Sequence, residues 1–329
     1  MNSSYQLRNI KVHHGQQCVL DIPELSLPKN KCIALLGNNG AGKSTLLDLL
    51  AFITKPDQGQ ISLQGQTAQF PLSRKQRQMI GYVSQHPFLL TGSVADNIAL
   101  ALHLQGINRK QHQKRLKQAL ELVNLSHLAQ QSARTLSGGE LKRAAIARAV
   151  AYQPDILLLD EPFSHLDQSH SQQLEDIIQQ FSSQAGMTVI FSTHDRLKGR
   201  ALADSTINLV SGKTTKSPLL NLFHGTLHDH VFDTGHLQIH TTSQLKTARH
   251  IAIDPSEIII STEELHSSMQ NHFMGRMTLI AEESGTIRLT IDCGERFHAI
   301  ISPKSLSDLN LTIGGTIWLS FKSTAVSVF

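Results

Sequence analysis

The stretch Gly37–Thr45, GNNGAGKST, decides the fold of this 329-residue chain. It fits G-x-x-x-x-G-K-[ST] and lies between a short apolar run, KCIALL, and a segment with helical apolar spacing, STLLDLLAFI. In a strand–loop–helix of this kind, backbone N–H groups wrap a phosphate and the helix N-terminus adds partial positive charge. The sequence therefore predicts a phosphate-binding loop formed by Gly37, Asn38, Asn39, Gly40, Ala41, Gly42, Lys43, Ser44 and Thr45.

The residue types in and after this loop indicate ATP and Mg²⁺ as ligands. Lys43 is expected to reach the β- and γ-phosphates, and the Ser44 hydroxyl is a hard oxygen ligand of the kind that Mg²⁺ prefers. A second strand pattern, ILLLDEP, ends in two adjacent carboxylates. Asp160 is expected to hold Mg²⁺ through water, and Glu161 to accept a proton from the attacking water.

The apolar periodicity divides the chain into an α/β part and an all-β part. DILLL and TVIFS are short apolar runs typical of strands buried on both faces of a parallel sheet, and NRKQHQKRLKQALELV predicts a helix, continued by SHLAQQSA, with Leu116, Leu120 and Val123 on its apolar face. Later segments (TIRLTIDC, ERFHAI, TIWLSF, TAVSVF) alternate with period two. We expect a nucleotide-binding domain over 1–222, with a helical subdomain over about 86–150, and a small all-β domain over 223–329.

Composition narrows the classes of protein to which the chain can belong. The three cysteines show no CxxC pair or metal-ligand spacing, which favours a reducing compartment. A net charge of +4 with scattered lysines and arginines gives no reason to expect nucleic-acid binding. No apolar run has the length of a signal peptide core or a membrane-spanning helix, so a cytoplasmic or peripheral location is expected.

LSGGE, Leu136 to Glu140, followed by KRAAIARAV, completes a set of motifs. Together with GNNGAGKST and ILLLDEP, it resembles the nucleotide-binding subunit of an ATP-binding cassette (ABC) transporter over roughly residues 5 to 215. The resemblance implies a P-loop NTPase cassette that forms a head-to-tail homodimer. Each ATP would lie between the phosphate loop of one copy and a second anion-binding helix N-terminus of the other, formed by Ser137, Gly138, Gly139 and Glu140.

The same resemblance assigns roles to three further residues and marks two departures from the family pattern. Gln85 in YVSQHPF would contact Mg²⁺ and the attacking water, His194 in FSTHD the γ-phosphate, and Asp167 in SHLD would link the two sites. Glu140 stands where the family usually has glutamine. His14 stands where an aromatic residue usually stacks on adenine, and imidazole offers less area for stacking.

The segment FLLTGSVADNIALAL resembles the region that receives a helix of an integral membrane permease in transporter subunits. Phe88, Leu89, Leu90 and Val94 would form this contact, although internal packing is an equally good interpretation of any one of them. A single cassette with a compact helical insertion argues against DNA-repair and ribosome-associated cassette ATPases. A non-transport cassette ATPase stays an alternative.

The tail, about 266–329, resembles the OB-like TOBE/Mop domains of molybdate and tungstate importer ATPases. SSMQNHFMG follows the family's S-x-R-N-x-x-x-G except that Gln270 replaces arginine, and AIISPKSLSDL resembles its second segment. The resemblance implies an oxyanion site formed by Ser268, Gln270, Asn271, Ser302, Lys304 and Ser305.

The segment that precedes the tail, NLFHGTLHDHVFDTGHLQIH, resembles tungstate-type subunits. The expected function is ATP-driven import of molybdate or tungstate through a permease. An external solute-binding protein would deliver the anion to that permease. An importer of another solute stays an alternative, because similar domains serve as spacers or dimer contacts in sulfate, sugar and polyamine importers. A further alternative for the tail is a regulatory sensor, which would stop import when it binds cytosolic oxyanion.

Overall fold

The computed structural model describes residues 3–183, 186–215, 221–265, 267–283 and 285–328. The chain forms two compact units, Met1–Thr214 and Thr215–Phe329. This division falls a few residues before the boundary expected at 222/223. The expected boundary would cut through a strand that begins at Asn221.

The first unit contains a parallel sheet, a smaller antiparallel sheet and seven helices among the described residues. Its strands up to residue 215 are β1 (Ser3–His14), β2 (Gln17–Pro28), β3 (Cys32–Leu36), β4 (Gln58–Leu63), β5 (Gln66–Thr67), β6 (Ile80–Val83), β7 (Ile156–Leu159), β8 (Thr188–Thr193), β9 (Ser205–Val210) and β10 (Lys213–Thr215). Its helices are α1 (Lys43–Leu50), α2 (Arg74–Gln78), α3 (Val94–Leu104), α4 (Arg109–Leu122), α5 (Gly138–Val150), α6 (Gln168–Ser183) and α7 (Arg196–Leu202).

The central sheet has the strand order β10-β9-β3-β8-β7-β6, and β9, β3, β8, β7 and β6 pair in parallel. The antiparallel sheet has the order β2-β1-β4-β5. Both faces of the central sheet are covered: in β3, Cys32, Ala34 and Leu36 join the core under the helices, whereas Ile33 and Leu35 join the core that includes β1, β2 and α1. This burial on both sides explains why the strands read as continuous apolar runs, as predicted.

The predicted helix at NRKQHQKRLKQALELV is confirmed as α4, with Leu120 and Val123 buried against α3 and α5 and Leu116 partly buried. The expected helical continuation through SHLAQQSA is wrong. That segment forms only a 3₁₀ turn at Ser126–Leu128, because the chain leaves α4 through Asn124 in a left-handed conformation (φ 57°).

The second unit is built mainly from short strands, as the period-two alternation predicted. They are β11 (Asn221–His224), β12 (Thr226–His228), β13 (Val231–Asp233), β14 (Gln238–His240), β15 (His250–Ile253), β16 (Ile259–Ser261), β17 (Asn271–Glu283), β18 (Thr286–Asp292), β19 (Arg296–Ile301), β20 (Thr316–Phe321) and β21 (Val326–Val328). One α-helix, α8 (Pro303–Asp308), lies among its described residues.

These strands form three sheets, with the orders β16-β20-β17-β18-β19, β11-β15-β21 and β12-β13-β14. One core unites them: Phe223, Phe232 and Ile251, from before residue 266, pack with Phe297 and Phe321 from the tail. The segment before the tail is therefore part of the same folded unit. The family motif SSMQNHFMG is divided by the start of β17: its first four residues precede the strand, and the rest, from Asn271 onward, belongs to it.

Phe297 lies at the centre of this core, with no exposed surface and with ring contacts to Phe223, Phe273 and Phe321. We predict that Phe297→Ala lowers the free energy of unfolding of the second unit by about 3–5 kcal/mol, since it removes buried area and leaves a cavity. Trp318, the single tryptophan of the chain, lies in β20, so its fluorescence during urea unfolding follows this unit alone.

The matched control is Ile313→Ala, which removes an apolar side chain that is 63% exposed and should change stability by less than about 0.5 kcal/mol. Equal effects of the two substitutions would contradict the central position of Phe297 in the core.

Candidate functional site

The loop Gly37–Gly42 connects the end of β3 to the start of α1. Gly40 (φ 79°) and Gly42 (φ 101°) adopt left-handed conformations that favour glycine. A Cβ on Gly42 would lie 3.0 Å from the Val19 carbonyl oxygen, so a side chain there is excluded by space as well. Gly42 is the N-cap of α1, and the N–H groups that open this helix face the loop. The predicted strand–loop–helix is present.

Lys43 and Glu161 form a buried ion pair next to this loop. The Lys43 ammonium donates to the carbonyls of Gly37 (2.8 Å) and Asn38 (3.3 Å), and it lies 3.3 Å from Glu161 Oε1. The side chains are only 6% and 8% exposed. Three oxygens therefore compensate the buried lysine, whose position between the loop and β7 suits a phosphate contact.

Glu161 meets His194 on its other oxygen. His194 Nδ1 lies 3.1 Å from Glu161 Oε2, whereas Oε1 faces the Lys43 ammonium at 3.3 Å and accepts no hydrogen bond from other described protein atoms. The Glu161 backbone is left-handed (φ 42°), an uncommon conformation for a non-glycine residue that here turns the side chain back toward the loop. A carboxylate oxygen has two lone pairs, so Oε1 has one available beside its ion-pair partner to accept a proton from water.

Ser192, which the sequence analysis did not identify, orients both acids. Its hydroxyl donates to Asp160 Oδ1 (2.6 Å) and accepts from the Glu161 amide (2.7 Å). Ser192 lies in β8 with no exposed surface. The sequence does show a serine within the apolar strand TVIFS. Its role becomes visible only when this strand, β8, is known to be the neighbour of β7, which directly precedes Asp160 and Glu161.

A cavity of about 460 Å³ brings the predicted nucleotide residues together. It is lined by Asn39, Gly40, Gly42, Lys43, Ser44, Thr45, Gln85, Glu161 and His14, together with Val19. His14 is exposed at the end of β1, at the edge of this cavity. An adjoining cavity shares Asn39, Gln85 and Glu161 and adds His194. Residues distant in sequence thus converge on one concave surface.

The oxygen donors of this site fit Mg²⁺. Ser44 is exposed at the mouth of the loop, Gln85 is half-buried in the same cavity, and Asp160 is 5% exposed with Oδ1 bonded to Ser192. Hydroxyl, amide and carboxylate oxygens are the ligands that this ion takes alongside water and phosphate. Within the described residues, no group of three or more His, Cys, Asp and Glu side chains could hold a metal ion.

LSGGE opens α5 with a capping box. Ser137 Oγ accepts from the Glu140 amide (3.3 Å), and Glu140 Oε2 accepts from the Ser137 amide (2.8 Å). The Ser137 amide, by this hydrogen bond, lowers the pKa of Glu140 below its usual range. The glutamate that replaces the usual glutamine is therefore a cap for its own helix, while the Gly138 side of the turn stays open.

Lys142, also missed from the sequence, joins α5 to the loop after β7. Its ammonium donates to the carbonyls of Pro162 (3.0 Å) and Ser164 (2.5 Å). Burial lowers its pKa, and the nearby Glu161 opposes that shift. Asp167 lies further along the same loop, before α6, and accepts from the His170 amide at 2.8 Å.

The predicted oxyanion residues are not brought together within one chain. Ser302 follows Ile301, which is joined through Ile287 of β18 to Glu282, near the end of β17. Asn271 lies at the opposite end of that strand, where it begins. Eleven residues of extended chain span about 35 Å when straight. Ser268 and Gln270 are exposed before the strand, and Lys304 is exposed on α8.

Two of these residues have other partners. The Asn271 amide accepts from the His240 N–H (2.7 Å) and donates to the His240 carbonyl (3.0 Å), so its side chain joins β14 to β17. Ser302 is the N-cap of α8: its hydroxyl accepts from the Ser305 amide (3.0 Å) and contacts the Ser305 hydroxyl (2.8 Å). The assignment of Asn271 as an anion ligand is corrected, because the residue is only 1% exposed and its amide group bonds the backbone of His240.

Comparison with known proteins places the two units in known families. A sequence model of the ABC transporter family matches residues 20–164, and one of the TOBE domain matches residues 267–328.

Among curated relatives, the molybdate/tungstate import ATP-binding protein of Pyrococcus horikoshii is 31% identical over 90% of this chain and 91% of its own. A probable sulfate/thiosulfate import ATP-binding protein of Chlorella vulgaris is 36% identical over 64% of this chain and 89% of its own. An Fe(3+) ions import ATP-binding protein of Pasteurella multocida is 34% identical over 68% of this chain and 64% of its own.

Solved structures of ABC cassettes share the fold. One is cbiO1 from Clostridium perfringens, part of the ABC transporter complex cbiONQ (TM-score 0.60, 26% identity, 65% of this chain and 88% of that chain). Another is the cassette MJ0796 in a dimeric post-hydrolysis state bound to ADP and Pi (TM-score 0.57, 25% identity, 64% and 97%). From its two domains, its relatives and its phosphate loop, this chain belongs to the ATP-binding subunits of ABC importers, ATPases that couple ATP hydrolysis to transport.

Proposed function

We propose that this ATPase drives import of a tetrahedral oxyanion of the molybdate/tungstate class. The observation that carries the proposal is the extent of the similarity. The molybdate/tungstate relative matches 90% of the chain, including the second unit, whereas the sulfate and iron relatives match 64% and 68%. The alignment with the molybdate/tungstate relative thus extends over the second unit, whereas those with the sulfate and iron relatives cover little beyond the cassette.

A sulfate importer is the second candidate. Over the cassette, the sulfate relative is 36% identical, which exceeds the 31% of the molybdate/tungstate relative over its longer alignment. Sulfate, molybdate and tungstate are all tetrahedral dianions, so the chemistry of a binding site separates them only weakly. Selection by an external binding protein and a permease would decide among them.

In the proposed reaction, the loop Gly37–Thr45 binds the phosphates of ATP and Lys43 contacts the β- and γ-phosphates. Glu161, whose Oε1 faces the Lys43 ammonium and accepts no hydrogen bond from other described protein atoms, takes the proton of the attacking water, and His194 holds Glu161 and contacts the γ-phosphate. Ser44 and Gln85, with Asp160 through water, would hold Mg²⁺, which neutralises phosphate charge. His14 would stack on adenine.

Two copies of the chain would complete these sites. Ser137 and the Gly138 and Gly139 amides open a helix that offers its N-terminus to an anion, and the turn beside Gly138 is open to solvent. This N-terminus would bind the γ-phosphate held by the second copy. Asp167, 64% exposed, would link the two sites across the dimer.

An apolar groove, lined by Leu90, Leu100 and Leu104, is the proposed docking surface for the permease, together with Phe88, whose ring centroid lies 6.0 Å from Cζ of Arg148 in the groove lining. The side chains of Phe88, Leu90, Leu100 and Leu104 are 69%, 48%, 37% and 70% exposed. Asn97 holds the groove in shape, since its amide group pairs with the Leu90 backbone at 2.7 and 3.0 Å. For Val94 and Leu89 the alternative of internal packing applies: Val94 is fully buried and Leu89 packs against the core.

The chain would work at the cytoplasmic face of a membrane, attached through the permease. In the part of the chain that the structure describes, no helix combines the length and apolar character needed to cross a bilayer. For the second unit we propose a regulatory role in which cytosolic oxyanion slows transport. With Asn271 buried, the remaining candidate ligands are Ser268 and Gln270 before β17 and Ser302, Lys304 and Ser305 at α8, and one anion could contact both groups only across two copies of the chain.

We predict that Glu161→Gln abolishes hydrolysis while leaving ATP binding intact. The amide keeps the size of the carboxylate but cannot accept the proton, and loss of a general base lowers kcat by about 10²–10⁴-fold. ATP should then trap a closed dimer, visible by sedimentation. Hydrolysis near the wild-type rate would rule out the assignment of Glu161 as the base.

Leu104→Asp should prevent assembly with the permease without changing basal ATP hydrolysis, because a charge in an apolar contact is costly to bury. Co-purification from membranes measures assembly. Ile53→Asp, at a side chain of similar exposure (64%), is the matched control and should assemble normally. Loss of assembly in both variants would show that the groove has no special role.

The substrate is tested by transport in vesicles that contain the subunit with its permease and binding protein. Molybdate or tungstate should stimulate ATP hydrolysis and accumulate inside, whereas sulfate and Fe³⁺ should not. Calorimetric titration of the full-length subunit with each oxyanion tests the second unit separately. Stimulation by sulfate alone would overturn the proposed substrate in favour of the second candidate.

A further inference from the structure

His170 joins two parts of the cassette that lie far apart in sequence. It stands in the first turn of α6, and Asp167 immediately precedes that helix. The Asp167 carboxylate accepts from the His170 amide (2.8 Å), and its two oxygens lie 2.9 and 2.8 Å from His170 Nδ1. An ionised carboxylate only accepts, so Nδ1 carries a proton and the ring is held in one orientation.

The other side of the His170 ring packs on Gly139 of LSGGE. A Cβ built on Gly139 would lie 2.3 Å from His170 Cδ2 and 2.6 Å from Cγ, far inside van der Waals contact. Gly139 is buried. The ring thus occupies the space where any other residue at 139 would place its side chain, and it contacts the glycine backbone directly.

Electrostatic contacts join the same groups. The amide of His170 lowers the pKa of Asp167, and its side chain adds to that effect. The pKa of Glu140 is lowered mainly by the Ser137 amide, with a smaller contribution from His170. His170 and Asp167 are 32% and 64% exposed, so both lie at the surface that a second copy would contact.

We propose that His170 is a positioning residue that holds Asp167 and the Gly139 amide in one fixed arrangement, so that both meet the ATP site of the second copy together. The inference rests on the dimer proposed above. Fixing both groups before the copies associate removes the entropy cost of ordering them at closure. A residue with this role acts on dimer closure and on turnover, and leaves ATP binding to the phosphate loop of a single copy unchanged.

The test compares two substitutions in the Glu161→Gln protein, whose closed dimer is stable enough to measure. His170→Leu introduces an apolar side chain of similar size and removes the Nδ1–H donor to Asp167. His170→Asn keeps an N–H donor near the position of Nδ1. Gln179→Ala, at an exposed position further along α6, is the control. Thermal unfolding confirms that each variant is folded.

We expect His170→Leu to weaken ATP-driven dimerisation about tenfold, as for loss of one charge-assisted hydrogen bond. The Kd of ATP, measured at protein concentrations too low for dimerisation, should change less than twofold. With Glu161 restored, kcat should fall about as much as dimerisation, with KM for ATP little changed. His170→Asn should recover much of the loss.

Unchanged dimerisation and kcat in His170→Leu would overturn the role of His170 alone, and so would an equal loss of ATP affinity in the single copy. If the Glu161→Gln parent does not dimerise with ATP, the dimer itself is wrong and the role of His170 falls with it. The two failures are thus distinguishable from the parent measurement.

Discussion

The buried contact between Lys43 and Glu161 is the constraint on which the cassette depends. Two opposite charges lie 3.3 Å apart with almost no exposure, and such a pair is stable only where further polar groups compensate it. The Gly37 and Asn38 carbonyls do so for Lys43, and His194 for Glu161. These partners follow three different strands, so the pair can form only when β3, β7 and β8 are assembled.

Parallel topology explains why residues so distant in sequence converge on this pair. Gln85 follows β6, Glu161 follows β7, His194 follows β8 and the phosphate loop follows β3, and these strands are neighbours in the order β3-β8-β7-β6. The carboxyl ends of parallel strands share one edge of the sheet, where ligands bind. The glycines and the left-handed Glu161 then turn the chain back over that edge.

The sequence could predict the residues that lie at the ends of strands, because a strand pattern followed by a functional side chain locates that side chain along the chain. It could not predict contacts that depend on which elements are neighbours. Ser192 looks like one more strand residue until β8 is paired with β7, and Lys142 looks like a solvated helix lysine until α5 meets the loop after Glu161. The burial of Val94 could not be predicted for the same reason, because it depends on how α3 packs against its neighbours.

The second unit shows the limit of matching residues by motif. Asn271 fits the pattern of an anion ligand, yet its side-chain amide bonds the N–H and the carbonyl of His240 as a paired strand would. The buried Asn221 does the same with His298: its oxygen accepts from the His298 N–H (2.6 Å) and its N–H donates to the His298 carbonyl (2.8 Å). Each asparagine joins an early strand of the unit to a tail strand where no continuous sheet connects them. A buried amide that satisfies two backbone groups is costly to lose. Folding therefore accounts for this asparagine without any ligand, and an anion site in the tail has to be argued from its exposed residues.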